Sequence, residues 1–184
     1  TPWLNTGTED PVTGGAPGFQ GDFSYLHVSA ASPQTGTTGS IQEAIDLLAN
    51  ASLTDGARTV DVKAGTYVEQ VTITKSLQLI GAGEASTSIV APAVRTGSVT
   101  QGTAVHDYIV AAYAPTGTID VRIEGFTIDA DEQNKTAGTA RLDGLFLRDV
   151  KDAGGTAAGL FSSTIHGFDT AVEYESWGVV VYGD

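Results

Sequence analysis

Residues 65–83, GTYVEQVTITKSLQLIGAG, alternate apolar and polar side chains over almost their whole length. Val71 and Ile73 fall on one side of the pattern, and Leu77 and Leu79 continue it after the short TKS corner. A period of two is typical of a half-buried β-strand, whose successive side chains point to opposite faces. The corner is too short for a free hairpin loop, so the stretch predicts consecutive short strands joined by a bend.

Comparable short strands are predicted along most of the remaining chain. Their ranges are 25–30, 59–65, 107–113, 119–128, 144–150, 159–165 and 177–182. Three strands share a Thr-Ile dipeptide and three open with glycine, without a fixed spacing. Irregular spacing around short β-segments favours the coils of a solenoid over the hairpins of a sandwich. Each strand is therefore expected to pair in parallel with its counterpart one coil above and below.

One amphipathic helix is predicted ahead of these strands, in SIQEAIDLLANA at 40–51. Ser40 is expected to cap its first turn, with Glu43 returning a hydrogen bond to the Ser40 amide. One apolar stripe follows the helical period. Its members are Ile41, Ala44, Ile45 and Leu48. This stripe must cover something, and a helix that plugs the open end of a stack of strands fits that need.

Residues 1–24 are rich in proline and glycine and sustain neither a helical nor a strand period. We interpret them as an extended arm. Its large apolar residues need cover, either from their own domain or from a neighbouring molecule. They are Trp3, Leu4, Phe19 and Phe23.

Composition excludes several classes of function. Asp and Glu outnumber Lys and Arg by 22 to 9, and a formal charge of −13 repels nucleic acid and anionic membrane surfaces. The chain has no cysteine, which removes thiol nucleophiles and disulfides. No apolar run approaches the roughly 20 residues that span a bilayer, so membrane insertion is not expected. Because the chain begins at Thr1 and contains no methionine, we expect a processed piece of a secreted or cell-surface protein.

From about Leu26 to Val90 the chain resembles the right-handed parallel β-helix proteins of the pectin lyase-like superfamily, most closely the pectinesterase branch. The resemblance rests on YLHVSAA, SIQEAID and RTVDVKAGTYVEQVTITKSLQLIGAGEASTSIV, in that order. It implies an all-β fold: a right-handed parallel β-helix, or solenoid, at 25–184, with a capping α-helix at about 40–50 behind the arm. The domain is compatible with the N-terminal part of a longer solenoid.

The catalytic motifs of the superfamily do not accompany this scaffold. Pectinesterase motifs of the type QAVAL, DFIFG and LGRPW do not occur in the chain, and IHGF and DADE match the polygalacturonase motifs poorly. The resemblance therefore implies the fold without a catalytic set, and the sequence leans against an enzyme. Tyr67 and Glu69 in GTYVE are expected to be structural, with Tyr67 covering the helix or first coil and Glu69 bonding backbone amides.

Two candidate sites remain. Asp129, Asp131 and Glu132 follow a strand closely, and their oxygens would suit calcium, the one candidate cofactor; a solvated turn and acid–base chemistry are the alternatives. Aromatic side chains near the end of the chain would form a strip for stacking on sugars, the alternative being ordinary packing. They are Tyr174, Trp177 and Tyr182. The three histidines are too dispersed for a zinc motif.

The strand WGVVVYGD ends the chain without a capping element, and an exposed apolar edge invites association. Val179 and Val181, together with the apolar residues of the arm, are the predicted self-association residues. Head-to-tail contacts of this kind do not close, so they build fibres or surface layers. We therefore expect a structural or adhesive protein whose partners are copies of itself. The alternative is a carbohydrate-active enzyme or sugar-binding module that acts on an acidic polysaccharide.

Overall fold

The computed structural model describes residues 25–31, 39–48, 58–133, 140–150, 159–167 and 176–182. The predicted arm at 1–24 lies outside these residues. The elements are β1 (Tyr25–Val28), α1 (Ser40–Leu47), β2 (Thr59–Val62), β3 (Gly65–Val68), β4 (Val71–Ile73), β5 (Leu77–Gly81), β6 (Thr87–Val90), β7 (Ser98–Gln101), β8 (Ala104–Tyr113), β9 (Val121–Glu124), β10 (Thr127–Asp129), β11 (Ala140–Arg148), β12 (Gly159–Phe161), β13 (Thr164–His166) and β14 (Ser176–Tyr182).

The strands form three sheets, which we name A, B and C. Sheet A has the order β1-β2-β5-β9-β12, sheet B the order β3-β6-β10-β13, and sheet C the order β4-β8-β11-β14. From β2 onward the chain contributes one strand to A, then B, then C, and repeats this cycle; β7 alone is added at the edge of sheet C. All of these neighbours pair in parallel, except β7, which pairs with β8 antiparallel. The predicted all-β class and parallel pairing are confirmed.

Apolar residues stack in register through each sheet and form the core. In sheet A, Leu26, Val60, Leu79, Ile123 and Leu160 occupy one row across the five strands. All belong to one hydrophobic cluster, with Leu160 at its partly buried margin. Each fully buried aliphatic side chain contributes about 1.5–3 kcal/mol relative to its exposed state. In sheet A, the apolar positions of the period of two in the sequence are therefore the inward-facing residues of the strands.

The predicted strand at 119–128 is divided into β9 and β10 by a bend at Gly125. Gly125 has φ 77, and a Cβ there would lie 2.7 Å from the Gly81 carbonyl oxygen. The backbone at Gly125 therefore approaches that at Gly81 so closely that only glycine fits at position 125 without displacement. The Thr-Ile repeats are also explained in part, because Thr127 and Ile128 pair in register with Thr164 and Ile165.

Helix α1 covers the N-terminal end of the sheets, packing on β1, β2 and β4. Its predicted stripe is buried, since Ile41, Ala44, Ile45 and Leu48 are each at most 2% exposed. The predicted capping box is wrong: the N-cap is Gly39, without a side-chain cap from the helix itself. The cap comes instead from the bend between β3 and β4. There Glu69 accepts hydrogen bonds from the amides of Ile41 (3.2 Å) and Gln42 (3.0 Å).

The structural roles predicted for the GTYVE segment are confirmed. Glu69 bonds backbone amides of α1, and Tyr67 is buried in the core with its hydroxyl donating to the Lys63 carbonyl at 2.8 Å. Burial is the main cause of the raised pKa of Glu69, while the helix amides oppose it. Among the described residues no helix is long and apolar enough to cross a membrane.

Candidate functional site on sheet C

Three strands of sheet C are longer than the strands of sheets A and B, and together they form a lateral platform. Strands β8, β11 and β14 span ten, nine and seven residues, against three to five for the strands of sheets A and B. Ile109 and Val110 both belong to the core, so the alternation shifts by one residue there. We name the residues before this shift, Ala104–Tyr108, Ala140–Asp143 and Ser176–Trp177, the sheet C extension. Strand β7 pairs with its edge, placing Val99 opposite His106.

A buried histidine–aspartate pair lies within the extension. His106 Nδ1 is 2.7 Å from Asp143 Oδ2, and both side chains are completely buried. The two residues come from adjacent strands, with His106 opposite Arg141 and Asp143 opposite Tyr108. The second carboxyl oxygen, Asp143 Oδ1, is buried and has no hydrogen-bond partner among the described residues. A buried polar atom in that condition costs free energy, which makes this pair the most demanding polar feature of the platform.

Aromatic rings enclose the histidine. The centroid of the His106 ring is 5.2 Å from that of Phe146, 5.8 Å from that of Tyr182 and 6.2 Å from that of Trp177. The Tyr182 hydroxyl is 3.5 Å from His106 Nε2, at the outer limit of a hydrogen bond. Strand β14 therefore supplies two of the three rings, and the aromatic enclosure of His106 is complete only when this strand is in place.

The outer surface of this cluster carries a cation over an aromatic ring. The Arg141 guanidinium lies 4.6 Å from the centroid of the Trp177 ring, and 37% of Trp177 is exposed. A second pair follows at the other end of the sheet, where Arg148 lies 5.1 Å over Tyr113. Planar cations and aromatic faces are favourable neighbours, and both remain reachable from solvent here.

Burial controls the protonation of the pair. It raises the pKa of Asp143 to about 7; Arg141 opposes this change and Asp107 adds to it. Burial also lowers the pKa of His106, and the nearby Arg141 lowers it further. Both directions have one cause, the cost of placing a charged form away from water.

The hydrogen bond of the pair survives titration of Asp143. When Asp143 is ionised, His106 Nδ1–H donates to it and Nε2 faces Tyr182 as an acceptor. When Asp143 is protonated, its O–H donates to Nδ1 and Nε2 carries the hydrogen. Titration therefore reverses the donor and acceptor character of Nε2, which gives the arrangement the means to store or pass a proton.

In the acidic turn predicted to bind calcium, one carboxylate is hydrogen-bonded to a backbone amide of the same turn. Asp129 Oδ1 accepts a hydrogen bond from the Asp131 amide at 2.9 Å and lies 3.6 Å from His166 Nδ1. Asp131 and Glu132 are exposed, with φ values of 52 and 54. Among the described residues no group of three or more potential ligands is placed to hold a metal ion. Calcium binding by Asp129, Asp131 and Glu132 stays a prediction.

The sugar-stacking and self-association residues fall in different places. Trp177 and Tyr182 both border His106, whereas Tyr174 lies outside the described residues. Val179 and Val181 are exposed on β14, at 50% and 67%. The arm residues of the self-association prediction also lie outside the described part of the chain.

Sequence reasoning missed His106, Asp143 and Arg141. The two members of the pair are 37 positions apart, and neither lies in a motif. One signal was present: aligning the apolar positions of AVHDYIVAAY with those of ARLDGLFLR places His106 opposite Arg141, two register positions from Asp143 and on the same face of the sheet. No protein-family model matches the chain, and no curated protein matches it.

Proposed function

We propose that the chain is a right-handed parallel β-helix of the pectin lyase-like kind, and that it serves as a structural module outside the cell or at its surface by associating with copies of itself. The cyclic use of sheets A, B and C supports the β-helix, as do the parallel register and the apolar rows that cross each sheet. The high negative charge suits an extracellular setting. The proposal includes neither nucleic-acid binding nor insertion into a membrane.

One observation carries the proposal of self-association. Val179 pairs in register with Leu145, and Val181 with Leu147. The two leucines are 0% and 9% exposed, whereas the two valines are 50% and 67% exposed. The valines lie in the inward-facing row of sheet C. Leucines of the preceding strand in that row are buried, whereas no described residue covers the valines. Such an edge offers both apolar surface and free backbone groups to another strand.

The experiment is a measurement of particle mass by light scattering over a wide range of protein concentration. The full chain is expected to associate, and V179K/V181K is expected to stay monomeric, since two charges on the edge block pairing. V94K is the matched control, because Val94 is 77% exposed but lies in the loop between β6 and β7. A chain lacking residues 1–24 tests whether Trp3, Leu4, Phe19 and Phe23 of the arm add to the contact. A full chain that stays monomeric at high concentration would contradict the proposal.

A second function, recognition of an acidic polysaccharide, is favoured by the cation–aromatic pair of the extension. An exposed tryptophan suits the apolar face of a sugar ring, and an arginine beside it suits a carboxylate. Trp177 and Arg141 hold both groups within 4.6 Å of each other on an outer surface. In this proposal the module binds sugar and does not cleave it, because His106 and Asp143 are completely buried.

Calorimetry with polygalacturonate, and with neutral dextran for comparison, tests this second function. W177A and R141Q are expected to weaken binding of the acidic polymer at least tenfold. R122Q is the control, because Arg122 lies 4.1 Å over Phe161 in a similar pair away from the extension. Equal binding by all three variants, or no binding by the unaltered chain, would remove the function.

A further inference from the structure

We infer that two copies associate tail to tail, with β14 of one chain pairing antiparallel with β14 of the other around a two-fold axis. The inference rests on the proposed self-association and names its partner and geometry. It replaces the open fibre expected from the sequence with a closed dimer, because an isologous contact uses the same surface on both copies and leaves no edge to extend.

The N-terminal end has no free edge in sheet C for an incoming β14. Strand β4 is the last strand of sheet C on that side. The Gln42 side chain occupies it as a strand would: the Thr72 amide donates to Gln42 Oε1 at 2.7 Å, and Gln42 Nε2 donates to the Thr72 carbonyl at 3.2 Å. Helix α1 covers the apolar cross-section beside it. A head-to-tail contact would have to displace both.

The two ends also differ in charge. The sequence of α1, SIQEAIDL, contains two acidic residues and no basic one, and Asp46 is exposed. The sequence of β14, SWGVVVY, contains no charged residue, in a chain whose formal charge is −13. Two copies of so acidic a chain repel each other over most approaches. Contact between two β14 strands joins the copies at an uncharged edge.

The geometry of the end is self-complementary. A two-fold axis through the middle of β14 places Val179 opposite Val179 of the second copy, because Val179 is the midpoint of Ser176–Tyr182. The same rotation reverses the direction of sheet C and so exchanges the positions of sheets A and B. As a result, β12 of one copy comes to lie opposite β13 of the other. These strands have equal lengths of three residues. Their inward residues, Leu160 and Ile165, are partly buried, and the dimer would complete their cover.

The test is a cross-link at the proposed axis. The chain has no cysteine, so Val179→Cys introduces a single thiol. In a tail-to-tail dimer the two thiols face each other, and mild oxidation or a short bismaleimide linker is expected to convert most of the protein to a covalent dimer. Val94→Cys is the control for collisions between exposed thiols, and it should cross-link only slightly. Light scattering on the unaltered chain should reach a limiting mass of two chains.

The outcomes separate this inference from the proposed function. A mass that keeps rising with concentration, with Val179→Cys cross-linking no better than Val94→Cys, would overturn the tail-to-tail dimer and leave self-association standing. A chain that stays monomeric would overturn both. A limiting mass of two chains without selective cross-linking at position 179 would overturn the two-fold pairing of β14. Circular dichroism of both variants, compared with the unaltered chain, confirms that they are folded.

Discussion

The two ends of the stacked sheets are finished in opposite ways. At the N-terminal end, α1 covers the core, Glu69 caps the helix, and Gln42 takes the free backbone groups of Thr72. At the other end of sheet C, β14 presents Val179 and Val181 to solvent with half or more of each exposed. A strand edge is a liability that proteins usually block. The contrast teaches that this chain blocks one edge of sheet C with its own residues, whereas the other edge is left exposed by the described residues.

The largest expected effect comes from making matched truncations at the two ends. I45A removes a side chain that is 1% exposed beneath the helix, and it should lower the free energy of unfolding by about 2–5 kcal/mol through lost burial and a cavity. V181A truncates a side chain that is 67% exposed and should cost less than about 0.5 kcal/mol in the monomer. Denaturant unfolding at low protein concentration measures both. Similar costs for the two variants would show that the ends do not differ in this way.

Removal of the helix cap weakens the closed end alone. E69A leaves the Ile41 and Gln42 amides without their acceptor in a largely buried position, and it is expected to cost about 1–3 kcal/mol. E132A, in an exposed turn, serves as the control and should have little effect. The measurement is again denaturant unfolding, with loss of helical circular dichroism as a second reading. An E69A variant as stable as E132A would mean that the contact does not stabilise the end.

The His106–Asp143 pair, which joins β8 and β11 of sheet C, should make stability depend on pH. The folded-state pKa of Asp143, about 7, exceeds its ordinary value of 3.8, so the folded protein holds the additional proton. This contribution is fully present below about pH 4 and is lost as the pH rises through 7. Hence the stability of the unaltered chain relative to D143N should decline between these values, by up to about 1.4 kcal/mol for each pH unit.

Comparison of the two proteins at each pH isolates this carboxyl. His106 has a lowered pKa and contributes in the opposite direction, with stability lost as the pH falls, but it is present in both chains. Free energies of unfolding from urea titrations at several pH values provide the measurement. A D143N curve that runs parallel to that of the unaltered chain would remove Asp143 as the source.

The smallest expected effect concerns calcium at the turn after β10. Millimolar calcium should raise the melting temperature by a degree or two if Asp129, Asp131 and Glu132 bind the ion weakly, because a ligand of the folded state stabilises it by mass action. D131N/E132Q should abolish the shift, whereas magnesium at the same concentration should have less effect. No shift with calcium would remove this site and leave the contrast between the ends unchanged.

Much of the scaffold could be predicted because its signals are local. The alternation in 65–83 and the helical stripe of α1 each report burial within one short segment, and both are confirmed. The parallel pairing was predicted from the short, irregularly spaced strands, and the observed strand pairing confirms it.

The candidate site could not be predicted because it depends on contacts between strands that are far apart in the sequence. His106 and Asp143 become neighbours only after loops of unequal length set the register of β8 and β11. The helix cap was missed for the same reason: Glu69 reaches Ile41 from the bend between β3 and β4, 28 positions away, whereas the sequence pattern offered only the local Ser40 and Glu43. Strand β7 was also missed, since a single antiparallel strand at a sheet edge has no counterpart in the other coils.

Amide hydrogen exchange at low and high protein concentration tests the central contrast most directly. Amides of 176–182 are expected to exchange quickly in dilute solution and to gain protection as the concentration rises. The amides of 71–73 at the closed end should be protected at every concentration, and V179K/V181K should lose the gain at 176–182. Exchange at 176–182 that does not change with concentration, whether fast or slow, would contradict association through this edge.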